Sequence, residues 1–192
     1  MSSREGPLNF RCLFSEHSFL ARQSFVLHCL KGLQLHHEKR VFHGDIKPAN
    51  LLYQESSPLY PVFADYGQSC LLEEFSLPSR KRCGTPGYRA PEARQGKIRD
   101  AQMAREADVF ALGSTLLDIL AGRSASMEYI NGAEVSHSPT RIERVGRHQQ
   151  GDDRLQQILL KMIHEDPRQR WELLTVIADV TALSLRPAAA GR

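Results

Sequence analysis

The stretch His43-Gly44-Asp45-Ile46-Lys47-Pro48-Ala49-Asn50-Leu51-Leu52 sets a carboxylate, an ammonium and an amide at i, i+2 and i+5. An apolar, strand-like run comes directly after. Taken alone the frame says little. An aspartate in a loop is usually a turn former or a cap, and D-x-K-x-x-N arises by chance at appreciable frequency. Its weight comes from the ordered motifs downstream of it. Asp65-Tyr66-Gly67 comes next, then Cys83-Gly84-Thr85-Pro86-Gly87-Tyr88-Arg89-Ala90-Pro91-Glu92. Asp108-Val109-Phe110-Ala111-Leu112-Gly113 and Pro167-Arg168-Gln169-Arg170-Trp171 complete the series.

Hydrophobic spacing places these motifs on elements. From Glu16 to His37, apolar Phe19, Leu20, Val26, Leu27, Leu30 and Leu33 recur at three- and four-residue steps, which predicts a helix with a core-facing stripe. Gly32 inside it costs about 1 kcal/mol against Ala and points to close packing. Val41 and Phe42 read as a short strand entering the loop. Leu51–Tyr53 and Pro61–Ala64 read as short strands flanking a turn at Ser56–Pro58. Leu71–Arg89 reads as a long loop, of a kind that tends to be functional. Arg105–Ala121 is apolar over most of its circumference, the pattern of a buried central helix, with Gly122 as its stop. Ser124–Gln150 is polar and gives no clear element. Arg154–Ile163 reads as a helix with Leu155, Ile158, Leu159 and Met162 on one face; Asp166-Pro167 breaks it, and Trp171–Leu185 forms the last helix. Leu8–Phe14 reads as a strand or extended hinge, and Met1–Pro7 and the tail 186–192 as loose ends.

The 192 residues suffice for one domain with a real core. A net charge of +3, with no basic stripe interleaved with aromatics, does not indicate a nucleic-acid partner. The clusters Lys39-Arg40 and Arg80-Lys81-Arg82 are short and read first as solvated loops, with a docking patch for acidic groups as the alternative. Cys12, Cys29, Cys70 and Cys83 show no C-x-x-C and no histidine spacing for zinc. That usage fits a reduced, intracellular chain, with the cytoplasm as the expected compartment. No apolar run approaches the roughly 20 residues of a membrane span, and no signal-peptide apolar region opens the chain, so no membrane partner is expected.

The ordered motifs resemble those of the eukaryotic-type protein kinase superfamily, over about Phe14 to Leu185. The resemblance implies a mainly α fold with short β strands, the kinase C-terminal lobe over residues 14–185. It implies a hinge remnant or extension at 1–13, a flexible tail at 186–192, and ATP and Mg²⁺ as cofactors. In such a site catalysis is mostly positioning plus neutralisation of charge on the moving phosphoryl group. Asp45 is then the residue that accepts the substrate hydroxyl's proton, and Lys47 lies along the transferred phosphate. Asn50 and Asp65 are the magnesium ligands, and Leu52 lies beneath the adenine ring. Thr85 bonds Asp45 and Lys47. Asp108 holds backbone N–H groups near His43, and Glu92 pairs with Arg170. Lys47 with Thr85 resembles the serine/threonine kind, so the expected substrate is a protein hydroxyl of that type.

The chain also departs from the family. The arginine that precedes the catalytic-loop aspartate is Gly44 here, so a phosphorylated activation segment loses one charge-assisted partner. Ser69, Ser76 and Ser79 are accordingly weak phosphoswitch candidates and read first as plain polar loop residues. Tyr66 stands where the family has phenylalanine, and its hydroxyl needs a partner if buried. No glycine-rich loop and no V-A-I-K-like strand precede residue 43. Lys31 and Lys39 stand too close to the loop to anchor ATP, and Glu16 and Glu38 read as solvated. The N-lobe is therefore expected to be largely missing. Losing its lysine and glycine clamp costs on the order of 10⁴ in rate. Two readings result: a serine/threonine kinase present as a truncated catalytic domain, or a pseudokinase or protein-interaction module. The partners to expect are a protein substrate and either a donor of the N-lobe or another partner protein.

Overall fold

The computed structural model describes residues 19–54, 57–76, 83–120 and 153–183. The expectations for 1–13, Glu16, Gly122, Ser124–Gln150 and the tail 186–192 lie outside the described residues, as does Ser79. The described chain is mainly helical, with four short strands.

Helix α1 spans Phe19–Glu38 and buries Phe25, Val26, Cys29, Leu30 and Leu33 completely. Leu20, expected in that stripe, is instead exposed. One residue on from Phe19, it is turned about 100° round the helix, off the core face. Gln23 is buried on the core side, where its amide donates to the Val180 carbonyl at 2.5 Å. Gly32 has a packing reason: a Cβ there would stand 2.9 Å from the Phe63 ring.

Strand β1, Val41–Phe42, pairs antiparallel with β4, Cys70–Leu71, in the register Val41↔Leu71 and Phe42↔Cys70. Strands β2, Leu51–Gln54, and β3, Ser57–Phe63, form a second antiparallel pair with Leu51 opposite Phe63 and Gln54 opposite Ser57. Ser57 and Pro58 therefore belong to a strand, not to the expected turn. In a two-stranded sheet both strands are edges, where a proline is tolerated. The expected long loop from Leu71 also begins as structure, as the end of β4 and a 3₁₀ segment over Leu72–Ser76. Leu72 is buried there, and its N–H donates to the Arg40 carbonyl at 2.8 Å.

A short helix α2, Pro91–Arg94, leads to α3, Ala101–Leu120, which is buried continuously from Ala107. It starts four residues before the expected Arg105, because Asp100 caps it by accepting the Met103 N–H at 2.9 Å. Asp108 thus lies well inside the helix. Helix α4, Asp153–Leu160, runs on as a 3₁₀ turn over Lys161–Ile163. It seats on α3 at Gly113, where a Cβ would come within 2.7 Å of Met162 Cβ. Helix α5, Leu173–Ala182, starts after Trp171, whose N–H is tied to the Lys161 carbonyl at 3.1 Å. Cys29, Cys70 and Cys83 are buried free thiols, and burial pushes that of Cys83 up to about 12. Such a thiol is a poor nucleophile.

Candidate functional site

The loop at 43–52 hangs from helix α3. Asp108 is 1% exposed, and its carboxylate accepts the His43 N–H at 2.9 Å and the Gly44 N–H at 3.0 Å. A buried charge is tolerable only with such donors. His37 Nε2 lies 3.5 Å from the same carboxylate. Gly44 has φ +80°, and a Cβ there would come within 2.8 Å of both the Gln68 carbonyl oxygen and the Phe42 ring. Gly44→Ala is expected to destabilise the fold by about 1–3 kcal/mol, from left-handed strain and overpacking. A lower urea midpoint at unchanged m-value is the measurement.

His43 is buried, and burial pulls its pKa down against the opposing pull of Asp108. Its Nδ1 accepts the Asp45 N–H at 3.3 Å, so the neutral ring carries its proton on Nε2. Around it stand the rings of Tyr66, Phe63 and His36, at 5.1, 5.6 and 6.1 Å.

Asp45 is the hub of the next layer. Lys47 Nζ donates to its Oδ2 at 2.8 Å, and Thr85 Oγ1 donates to its Oδ1 at 2.6 Å. Lys47 Nζ also donates to Thr85 Oγ1 at 2.9 Å, closing a triangle. Burial raises the Asp45 pKa, but the bonds from Lys47 and Thr85 outweigh it and hold the carboxyl below the ordinary carboxylate range. Its contribution to stability is therefore in place above the ordinary value of 3.8 and is lost as pH falls through the depressed one. Asn50 closes a 3₁₀ turn over Pro48–Asn50 and donates its Nδ2 to the Asp45 carbonyl at 2.8 Å and to Asp45 Oδ2 at 3.2 Å. With its nitrogen so engaged, its amide oxygen is the atom left for another ligand.

Asp65 makes no hydrogen bond to this cluster among the described residues. It is exposed, in the left-handed region at φ 62°, and its Oδ1 accepts the Gly67 N–H at 3.3 Å. The segment after it is tied back by Ser69, whose hydroxyl donates to the His43 carbonyl at 2.8 Å. A carboxylate at Asp65 and an amide oxygen at Asn50 are hard donors of the type magnesium takes, so the donor chemistry fits that ion. Leu52 is half-buried opposite the exposed Val62.

Glu92 and Arg170 meet in a buried, two-pronged ion pair with N···O distances of 2.5 and 2.8 Å. The guanidinium also donates to the His164 carbonyl at 2.7 Å and lies 4.8 Å from the Phe110 ring centre.

Several contacts have no motif to announce them. Tyr66 stays half-exposed and its hydroxyl meets His36 Nε2 at 2.9 Å, while His36 Nδ1 bonds the Gly32 carbonyl. Gln68 and Arg89 both reach Gly84. Only the single tyrosine hydroxyl at 66 signals that a partner is required.

The family model for the protein kinase domain matches residues 7–180. The chain is 30% identical over 152 residues to the probable serine/threonine-protein kinase CCRP1 of Zea mays, covering 77% of this chain and 23% of that protein. It is 37% identical over 112 residues to CBL-interacting serine/threonine-protein kinase 16 of Arabidopsis thaliana, covering 54% and 23%. A calcium/calmodulin-dependent protein kinase kinase of Caenorhabditis elegans is 28% identical over 150 residues, covering 77% and 27%. The chain thus spans about a quarter of the length of these curated relatives. Among the described residues, no helix is long and apolar enough to cross a membrane.

Proposed function

We propose that this chain, which belongs to the protein kinase domain family, carries the phosphoryl-transfer residues of a serine/threonine protein kinase. The observation that carries the reading is the closed triangle of Asp45, Lys47 and Thr85. The Thr85 hydroxyl bonds both the carboxylate and the ammonium, which also touch each other directly at 2.8 Å, so each of the three groups fixes the other two. Asp45, kept ionised, accepts the proton of an incoming serine or threonine hydroxyl and aligns its oxygen. Lys47 lies along the phosphate being moved. Asn50 and Asp65 hold magnesium, and Leu52 supports the adenine of ATP on the open side of the β2–β3 pair. When bound, the ion neutralises charge on the phosphates. Residues 14–185 are read as the C-lobe of the fold.

One observation favours a second reading. Tyr60 and Val62 on β3 are 59% and 62% exposed, an apolar edge suited to a covering partner. In that reading the chain is an interaction module that docks an N-lobe donor or another protein.

Thermal unfolding with and without Mg²⁺-ATP separates the two. The wild-type chain is expected to gain a few degrees in Tm with saturating nucleotide, since a ligand at 100 times its Kd adds about 2.7 kcal/mol. Asp65→Ala should lose the Mg²⁺-dependent part of that gain. A wild-type chain with no nucleotide-dependent shift would refute the kinase reading for this chain and favour the interaction module.

A further inference from the structure

The residue ahead of Thr85 is held at both of its backbone polar groups. Gln68, on the exposed turn after Asp65, accepts the Gly84 N–H on its Oε1 at 2.7 Å. Arg89 donates its Nε to the Gly84 carbonyl at 3.0 Å, and its Nη2 reaches the same oxygen. Gly84 itself has φ +94°, and a Cβ there would lie 3.3 Å from the Gly44 carbonyl oxygen. Its conformation sets where the next residue projects, and that residue is Thr85, seated on Asp45 and Lys47.

Gly44 belongs to the same close contact. The resemblance puts an arginine there to clasp a phosphate on the activation segment. In this chain even a Cβ at 44 meets the Gln68 carbonyl oxygen, so the backbones at 44, 68 and 84 lie against one another with no side chain between them. The Arg89 guanidinium, meanwhile, is engaged on a neutral carbonyl.

We propose that Gln68 and Arg89 are positioning residues that together fix Gly84, hold the Thr85 hydroxyl on the Asp45–Lys47 pair, and keep this part of the segment ordered without a phosphate. The inference deepens the kinase reading in its consequence, but its geometry needs no nucleotide.

The test is NMR on the phosphatase-treated 192-residue chain. Gln68→Ala removes the acceptor from an exposed side chain. It is expected to speed Gly84 amide exchange about fivefold, one ordinary hydrogen bond's worth, and to weaken the Thr85 methyl to Lys47 Overhauser contact. Gln68→Glu keeps an oxygen acceptor at the same position, now on a carboxylate, and should restore both. Arg89→Ala should loosen the same two signals. Protected core amides at Leu112 and Leu116 show that each variant is folded, and the Gln68 pair decides the matter if Arg89→Ala does not fold. Unchanged exchange and contact in Gln68→Ala would overturn the proposal. So would failure of Gln68→Glu to restore them, or order that is present only before phosphatase treatment. A wild-type chain that ignores Mg²⁺-ATP yet shows these shifts would remove the kinase reading and leave the positioning result standing.

Discussion

Arg170→Ala is expected to destabilise the fold by about 3–5 kcal/mol, because it leaves the buried Glu92 carboxylate without its partner. The loss is compounded. The same guanidinium satisfies the carbonyls of His164 and Glu106 and lies over Phe110. Arg170→Lys should recover little, since an ammonium cannot reproduce the two-pronged geometry. Denaturant unfolding monitored at Trp171 is the measurement. A loss under about 1 kcal/mol would mean that the pair contributes no more than an exposed one. The double change Glu92→Gln with Arg170→Met should cost less than Arg170→Ala alone, because no charge is then buried unpaired.

Asp45→Ala is expected to lower phosphoryl transfer to protein serine or threonine by about 10²–10⁴-fold, the usual worth of a positioned acid–base group. Nucleotide affinity should change little, because the proposed metal donors are Asn50 and Asp65. The fold should survive as well. Lys47 is 24% exposed and can turn its ammonium to water when its partner is removed. The informative result is the split between turnover and binding. Label incorporation at the wild-type rate in Asp45→Ala would trace the activity to another enzyme in the preparation and end the assignment.

Much of this arrangement can be read from residue order. The buried length of α3 is legible because Val109, Phe110, Leu112, Leu116, Ile119 and Leu120 are spread over most of its circumference. The convergence of Asp45, Lys47 and Thr85 is implied by the resemblance alone, since nothing local in the sequence brings residue 85 to residue 45. Helix ends are harder to read. The start of α3 is hidden because Ala101 to Ala104 look unremarkable, and only the Asp100 cap marks it. Leu20 misleads because an apolar residue beside a stripe is not necessarily in it. Ser57 and Pro58 mislead because turn chemistry and edge-strand chemistry use the same residues. Gly44 looks like the loss of an arginine. In three dimensions it is a close approach of three backbone segments, a relation among residues 44, 68 and 84 that no single position encodes.

The suspension of residues 43 and 44 from one carboxylate on α3 has a mechanical corollary. If that helix turned by a single residue, Asp108 would swing about 100° and drop both amides together. Alignment of the loop that carries Asp45 and Lys47 therefore has its datum in a helix buried in the hydrophobic interior. Lesions far from any bound molecule, such as crowding Gly113 against Met162, should register as errors of aim as well as losses of stability.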